Sequence, residues 1–465
     1  MMDVLTTIKD YLWDYILLFG LIGIGIYMSI RLRFPQVTRL FPSIGKLFRD
    51  IKNKVPVQEG RMTPFQSLAT AIAAQVGTGN IVGVATAIAS GGPGAAFWMM
   101  LSAFFGMSTI FSEAVLAQFY REEKDGHLVG GPAYYIKKGM KSKWLSIVFA
   151  ILTIIALGIV GLMVQSNAIV TSLSESFKLS GTWITIGLAA IVGVILTGGM
   201  QRIAGFSEKV VPLMAFAYIL GSVIIIFMNL GMFLPALKMI FVGAFTPKAI
   251  GGGVLGITIQ KAVQLGLARG LFSNEAGMGS TPHSHAVAST DHPAEQGFIA
   301  MIGVFVSTFM ICLATVMVNL TSGSYDPSIP AAEMAKEATL MTQRGFTNGF
   351  GTFGGAFLSI SLASFALTTI IGWYFFAESN VIMLAGDKKS IVGMFRIIAI
   401  GFLVVGTLLD GEIIWMLADL FTGLMALPNI VALLFLSGTA KKLLDHYDKC
   451  KKEKLLKWPT EDDLK

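Results

Sequence analysis

Between positions 73 and 80 the chain reads Ala73-Ala74-Gln75-Val76-Gly77-Thr78-Gly79-Asn80, a cluster of amides, glycines and a hydroxyl inside an apolar stretch. Gly77 and Gly79 lower the cost of leaving helical geometry. Unwinding at bilayer depth frees N–H and C=O groups, and something must bind them. Freed N–H groups at the start of a half-helix suit a carboxylate, and freed carbonyls at the end of one suit a cation. The alternative is a set of small residues that lets helices pack tightly. A second segment of the same character runs Gly270-Leu271-Phe272-Ser273-Asn274-Glu275-Ala276-Gly277-Met278-Gly279-Ser280. Its Glu275 is an acid at membrane depth, where an ionisable residue is expensive and points to function by default. It would help hold a cation, or cap freed N–H groups.

Further polar residues interrupt other apolar runs. The neighbouring hydroxyls of Thr368 and Thr369 offer hard oxygen ligands to add to carbonyls of the first segment, a donor set suited to sodium. A back-bond to the helix's own carbonyl is the competing role of a buried Thr. Trp373 would wall a pocket and limit side-chain size, or simply pack. Of Gln165, Ser166 and Asn167, Gln165 is the candidate to face that pocket. Glu113 reads as a helix-to-helix hydrogen-bond partner. Arg269 and Lys261 would pair with Asp419, Glu412 or Asp410 as a gate. His283, His285 and His292 come with neither Cys nor an HExxH pattern, so solvated or capping histidines are expected rather than a metal site. No GxSxG, GxxxxGK[ST] or hydrolase-type carboxylate cluster is present, which disfavours an enzyme.

These residues need a scaffold, and composition indicates which. The 465-residue chain is 54% hydrophobic and 14% charged, with mean hydropathy +0.70. A soluble domain carries roughly 25% charged residues, so this chain can cover a lipid-facing surface but not a water-facing one. The net charge of +7 is spread between apolar runs rather than gathered on a polar domain, which excludes nucleic acid as a partner. Two cysteines, Cys312 and Cys450, give no disulfide framework. Acidic Asp3, Asp10 and Asp14 precede or enter the first apolar run, unlike the basic start of a cleavable signal peptide.

Runs of about 20 apolar residues give about eleven spans, at 12–31, 64–90, 94–120, 144–176, 182–200, 209–231, 252–290, 296–322, 350–380, 391–408 and 412–437. The loops after the first and third spans hold Arg31, Arg33, Arg39, Lys46, Arg49, Lys52, Lys54 and Arg61, then Arg121, Lys124, Lys137, Lys138, Lys141 and Lys143. Arg202, Lys209, Lys388, Lys389, Arg396 and the tail from Lys441 fall on that side, against Lys9, Lys178, Lys238, Lys248, Lys336 and Arg344 opposite. This bias predicts a plasma-membrane protein with its N-terminus outside and its C-terminus in the cytoplasm. Residues 33–58, with Phe34, Leu40, Phe41, Ile44 and Leu47, read as an interfacial amphipathic helix. The expected organisation is an extra helix with this amphipathic segment (1–62), a five-helix repeat (63–231), an inverted repeat (245–438) and a basic tail (439–465). Each repeat opens on an interrupted helix, the best sequence pointer to a transporter's midplane site.

At these residues the chain resembles the alanine or glycine:cation symporter family. The likeness rests on VGTGN at 76–80, GGPGAAFWMMLSAFFGM at 91–107, GGPAYYI at 130–136 and LFSNEAGMGS at 271–280, and covers nearly the whole chain. It implies an all-α membrane fold of inverted five-helix repeats importing alanine or glycine with sodium; the composition makes the lipid bilayer a partner, and small-residue packing is consistent with a monomer. It also implies carboxylate binding by Thr78 and Gly79 amides, and a sodium site of Ala73, Val76, Thr368 and Thr369. A second sodium site of Asn80 with Ser273 is left open. The candidate substrate set is Gln75, Gly77, Thr78, Gly79, Asn80, Gln165, Phe272, Ser273, Asn274, Gly277 and Trp373. The alternatives are a proton-coupled permease and a non-transporting sensor or channel.

Overall fold

A computed structural model describes residues 2–53, 60–124, 127–246, 259–329, 331–386 and 388–464. Lys54, Lys248 and positions 252–258 of the expected seventh span lie outside the described residues. Among the described residues the chain is a helical bundle apart from one short antiparallel ladder, pairing Glu122 with Val129 and Glu123 with Leu128, and an isolated bridge between Met62 and Ala288. In order come α1 (Val4–Arg31), α2 (Leu40–Asn53), the bent pair α3 (Pro64–Gln75) and α4 (Gly79–Gly91), α5 (Ala95–Phe119), α6 (Lys143–Phe177), α7 (Gly181–Thr197) and α8 (Gly199–Met228). After α9 (Leu230–Phe245) come α10 (Ile259–Asn274), α11 (Pro282–Ala286), α12 (Pro293–Thr321), α13 (Ala338–Phe350), α14 (Thr352–Ala385), α15 (Lys389–Gly406) and α16 (Gly411–Lys452).

Among the described residues eight helices are long and apolar enough to span a membrane, and the bent pair makes a possible ninth. Every expected span falls on a helix, with four differences. Among its described residues the seventh is helical over α10 and α11, and Glu275, Gly277 and Gly279 all take positive φ between them. The sixth begins at Gly199, so Arg202 and Lys209 are helical. The last runs on to Lys452, making most of the basic tail a continuation of α16. Finally, α9 and α13 fold where no element was expected; α9 is apolar but short.

Local signals set the ends that matter. Thr63 and Gln66 form a reciprocal capping box before α3, with Pro64 in its first turn. α2 buries Leu40 and Leu47 and leaves Phe41 and Phe48 exposed. Lys46 pairs with Glu295 of α12, and Arg39 lies 2.6 Å from Asp448 of α16. α3 packs against α8, α12 and α14, while α10 packs on α4 and most closely on α5.

The contact of α10 with α5 depends on Gly266: a Cβ there would lie 2.2 Å from the Ala95 carbonyl oxygen and 2.8 Å from Trp98 Cβ. Gly393 on α15 has nothing within 4 Å of the same position. Gly266→Ala is therefore expected to cost about 1–3 kcal/mol and Gly393→Ala nothing measurable. Thermal midpoints of the two purified variants, read by size-exclusion fluorescence, check this; equal midpoints would contradict the assigned contact.

Candidate functional site

The first break is built by Val76, which leaves helical geometry at φ −112°, ψ 89°. α3 and α4 diverge there by 55°. Asn80 holds the break together: its Oδ1 accepts from Gly77 N–H at 3.0 Å, and its Nδ2 donates to Ser273 Oγ at 2.8 Å and lies 3.1 Å from Ser307 Oγ. Thr78 and Gly79 open α4, so their amides belong to a first turn whose N–H groups have no intrahelical partner. The carbonyl end of α3 faces Thr369. Its hydroxyl oxygen sits 3.0 Å from Ala73 O, 3.3 Å from Val76 O and 3.0 Å from Phe365 O of its own helix. One hydroxyl hydrogen cannot serve three carbonyls at once; a cation can be shared by several oxygens. Thr368 does not join this group. Being one residue further round α14, it donates to Phe365 O at 2.9 Å and faces Met214 of α8.

Gln165 reaches the same place from α6. Its Nε2 lies 3.3 Å from Thr78 Oγ1, and its Oε1 is buried without a hydrogen-bond partner. A Cβ on Gly77 would sit 2.7 Å from Thr369 Oγ1 and 3.4 Å from Gln165 Oε1, so only glycine fits between the two groups. Phe272 lies over Gly79, a Cβ of which would be 3.2 Å from its ring, and is flanked by Trp13 and Trp415 at centroid distances of 6.2 and 6.1 Å.

A cavity of about 270 Å³ ends at this floor. Its lining passes from exposed Thr171, Glu175 and Leu340 to buried Thr78, Leu358 and Leu362, with Trp415 at its side. That volume falls below the roughly 300–1,000 Å³ of drug-sized sites and suits a small solute. Beside it Arg269 pairs with Asp419 at 3.8 Å, one of the three acidic partners expected for it. Asp410 instead caps α16 by accepting from Glu412 N–H at 2.8 Å.

The second break is organised differently. Gln75 Nε2 donates to Asn274 O at 2.8 Å, and Ser307 Oγ approaches Gln75 O at 3.3 Å and Ser273 O at 3.1 Å, so the two breaks are stitched together. Beyond Asn274 the freed amides already have an acceptor: Gly277 and Gly279 N–H donate to the two oxygens of Glu113, each at 2.9 Å. Asn429 of α16 adds a bond of 2.7 Å to Glu113 and one of 2.8 Å to Gly277 O. Gly277 thus faces Glu113, not the first break. Glu275 accepts from Trp373 Nε1 at 2.8 Å and from the Ser280 hydroxyl. This makes Glu275 a brace within the loop and ties Trp373 to it; the ring also packs on Gly161.

The histidines differ from expectation in being buried rather than solvated. His283 Nε2 lies 2.8 Å from Asn380 and His285 Nδ1 2.7 Å from Gln296, while His292 does cap α12, accepting from Ala294 N–H. Sequence reading missed Ser307, Asn429 and Trp415. The first two are single polar residues in apolar runs, a signal present but unspecific; Trp415 carries no signal.

The fold and site define a polytopic helical membrane transporter with two helices broken at adjoining depths. The chain belongs to the Sodium:alanine symporter family, which it matches over residues 1–461. It is 40% identical to an uncharacterized transporter of Haemophilus influenzae, over 97% of this chain and 92% of that one. It is 36% identical to the sodium/alanine symporter AgcS of Methanococcus maripaludis, over 94% of this chain and 95% of that protein. The manganese transporter of Eremococcus coleocola shares the fold alone, with a TM-score of 0.52 and 14% identity over 83% of this chain and 81% of that one.

Glu113→Ala removes the acceptor of three donors and is expected to destabilise the protein by about 4 kcal/mol or more. Glu113→Gln, keeping one acceptor oxygen, should fall between it and the native protein. The order of thermal midpoints in detergent checks this, and a native-like Ala variant would refute the role.

Proposed function

We propose that this protein imports small neutral amino acids, alanine or glycine, by sodium symport with alternating access. The observation that carries the proposal is the convergence of Ala73 O, Val76 O and Thr369 Oγ1 directly behind the Thr78–Gly79 amides. Carbonyls at a half-helix end and amides at a half-helix start, adjacent and buried, suit a cation and a carboxylate held side by side. Sodium would be held by Ala73, Val76 and Thr369, and the amino acid by Thr78, Gly79 and Gln165 under Phe272. Gln75, Asn80, Ser273, Asn274 and Trp373 brace the breaks. The protein works as a monomer and as a carrier rather than an enzyme.

The bias of the basic loops favours an N-terminus outside, and with that orientation the cavity past Glu175 opens to the exterior. α3, packed on α8, α12 and α14, closes the inner path. Rocking one inverted five-helix repeat against the other would then expose the site inward, with Arg269–Asp419 closing behind the cargo. Each sodium ion gains about 2.3 kcal/mol per 100 mV on entry, which supports about fortyfold accumulation from voltage alone. A proton-coupled permease would need a carboxyl free at the site. Glu113 and Glu275 each already hold donors on both oxygens, away from the first break.

The test is counterflow of labelled alanine in proteoliposomes, with glycine, serine and glutamine as competitors. Thr369→Ala is expected to raise the sodium concentration for half-activation about tenfold, whereas Thr368→Ala should leave it within about twofold. Sodium-independent counterflow driven by a pH step would overturn the coupling ion. Unchanged sodium activation in Thr369→Ala would overturn the site.

A further inference from the structure

A second built cavity lies at the other end of the bundle, far in the fold from the first break. It has a volume of about 280 Å³ and opens where α1 gives way to polar chain. Its lining includes Arg31 and Arg33 from the end of α1, Arg39 from the turn before α2, and Lys441, Asp445 and Asp448 from α16. Arg39 sits 2.6 Å from Asp448, Arg33 3.7 Å from Asp445, and Lys441 also pairs with Asp445. Four cations against two carboxylates leave a surplus of two positive charges facing one cavity.

Arg31 carries one of those two charges, and Arg33 and Lys441, which share Asp445, leave the other. Arg31 Nη1 donates to Tyr27 OH at 2.7 Å, but its Nε is buried without a hydrogen-bond partner. It lies against α16, where a Cβ on Gly438 would be in ordinary contact with Arg31 Nη2 at 3.5 Å. The next turn is held in an unfavourable conformation: Arg33 and Phe34 both take left-handed backbone, at φ 61° and 52°. Such strain persists only where the surroundings enforce it, and here it turns Arg33 toward the cavity while α1 ends. The flanks are apolar and outward-facing, with Ile30 63%, Val37 59% and Phe41 68% exposed.

We propose that this cavity binds the phosphate of an anionic phospholipid. A phosphate offers several acceptor oxygens to guanidinium groups, its charge matches the surplus, and the exposed Ile30, Val37 and Phe41 meet the acyl chains. Clustered Lys and Arg beside a membrane-spanning helix read the same way. The bound lipid joins α1, α2 and α16, so it fastens the first helix to the last.

The full-length protein in neutral detergent is titrated with short-chain phosphatidylglycerol, phosphatidylcholine or inorganic phosphate, following thermal midpoint and native mass spectra. Phosphatidylglycerol is expected to bind and raise the midpoint, and the other two are not. The double variant R31Q/R33Q should bind phosphatidylglycerol about thirtyfold more weakly, while Lys143→Gln, an exposed cation elsewhere on the basic end, should match the native protein. If the double variant does not fold, Arg33→Gln, whose side chain is 73% exposed, should weaken binding about fivefold. An equal response to phosphatidylcholine, unchanged affinity in the foldable variant, or displacement of the lipid by inorganic phosphate would overturn the proposal.

Discussion

Backbone polar groups cannot stay unpaired in the interior of a membrane protein, and the architecture around both breaks answers to that constraint. Val76 to Thr78 and Glu275 to Thr281 interrupt the helices on either side of them. Each interruption is tolerated because side chains replace the lost ladder. Asn80 and Ser307 do this around the first break; Glu113, Asn429 and Gln75 do it around the second. These residues arrive on α3, α4, α5, α12 and α16, and the mutual packing of those helices positions them. Gly266 shows how little freedom is left, because α10 touches the backbone of α5 there.

A cavity leads to the first of these breaks. The cavity that starts at Glu175 stops at Thr78, where the chain has left the helix. Phe272 and Trp415 form an aromatic side to that floor, and Arg269 and Asp419 lie one turn further along the same two helices. In the proposed mechanism the aromatic cover and the closing ion pair therefore both lie on one pair of helices, α10 and α16. Sidedness and direction follow from the loop charges and belong to the proposed mechanism.

Much of this was legible in the sequence. Charge-poor composition and recurring apolar runs located the helices, and Gly77, Gly79, Gly277 and Gly279 located the breaks. Thr369 was legible as an oxygen donor, but its neighbour Thr368 could not be separated from it. The two differ only by their angle around α14, which depends on how that helix rotates against α3 and α8. Glu275 and Glu113 were both visible as costly acids, yet which one met the freed amides was decided by the distance between α5 and the loop. The helix α13 and the burial of His283 and His285 were not legible, since tertiary contacts alone make them. Arg269 was tied to a short list of acids, and geometry selected Asp419.

Glu113 has a wider consequence. Two breaks of similar make lie side by side, and an unwound segment at a half-helix start is a receptor for negative charge. One of these receptors is filled by a carboxylate that is covalently part of the chain and cannot leave. The molecule therefore carries a permanent internal mimic of its own cargo. The filled break becomes a fixed landmark, and in the proposed mechanism the other is the berth in which a free carboxylate is exchanged.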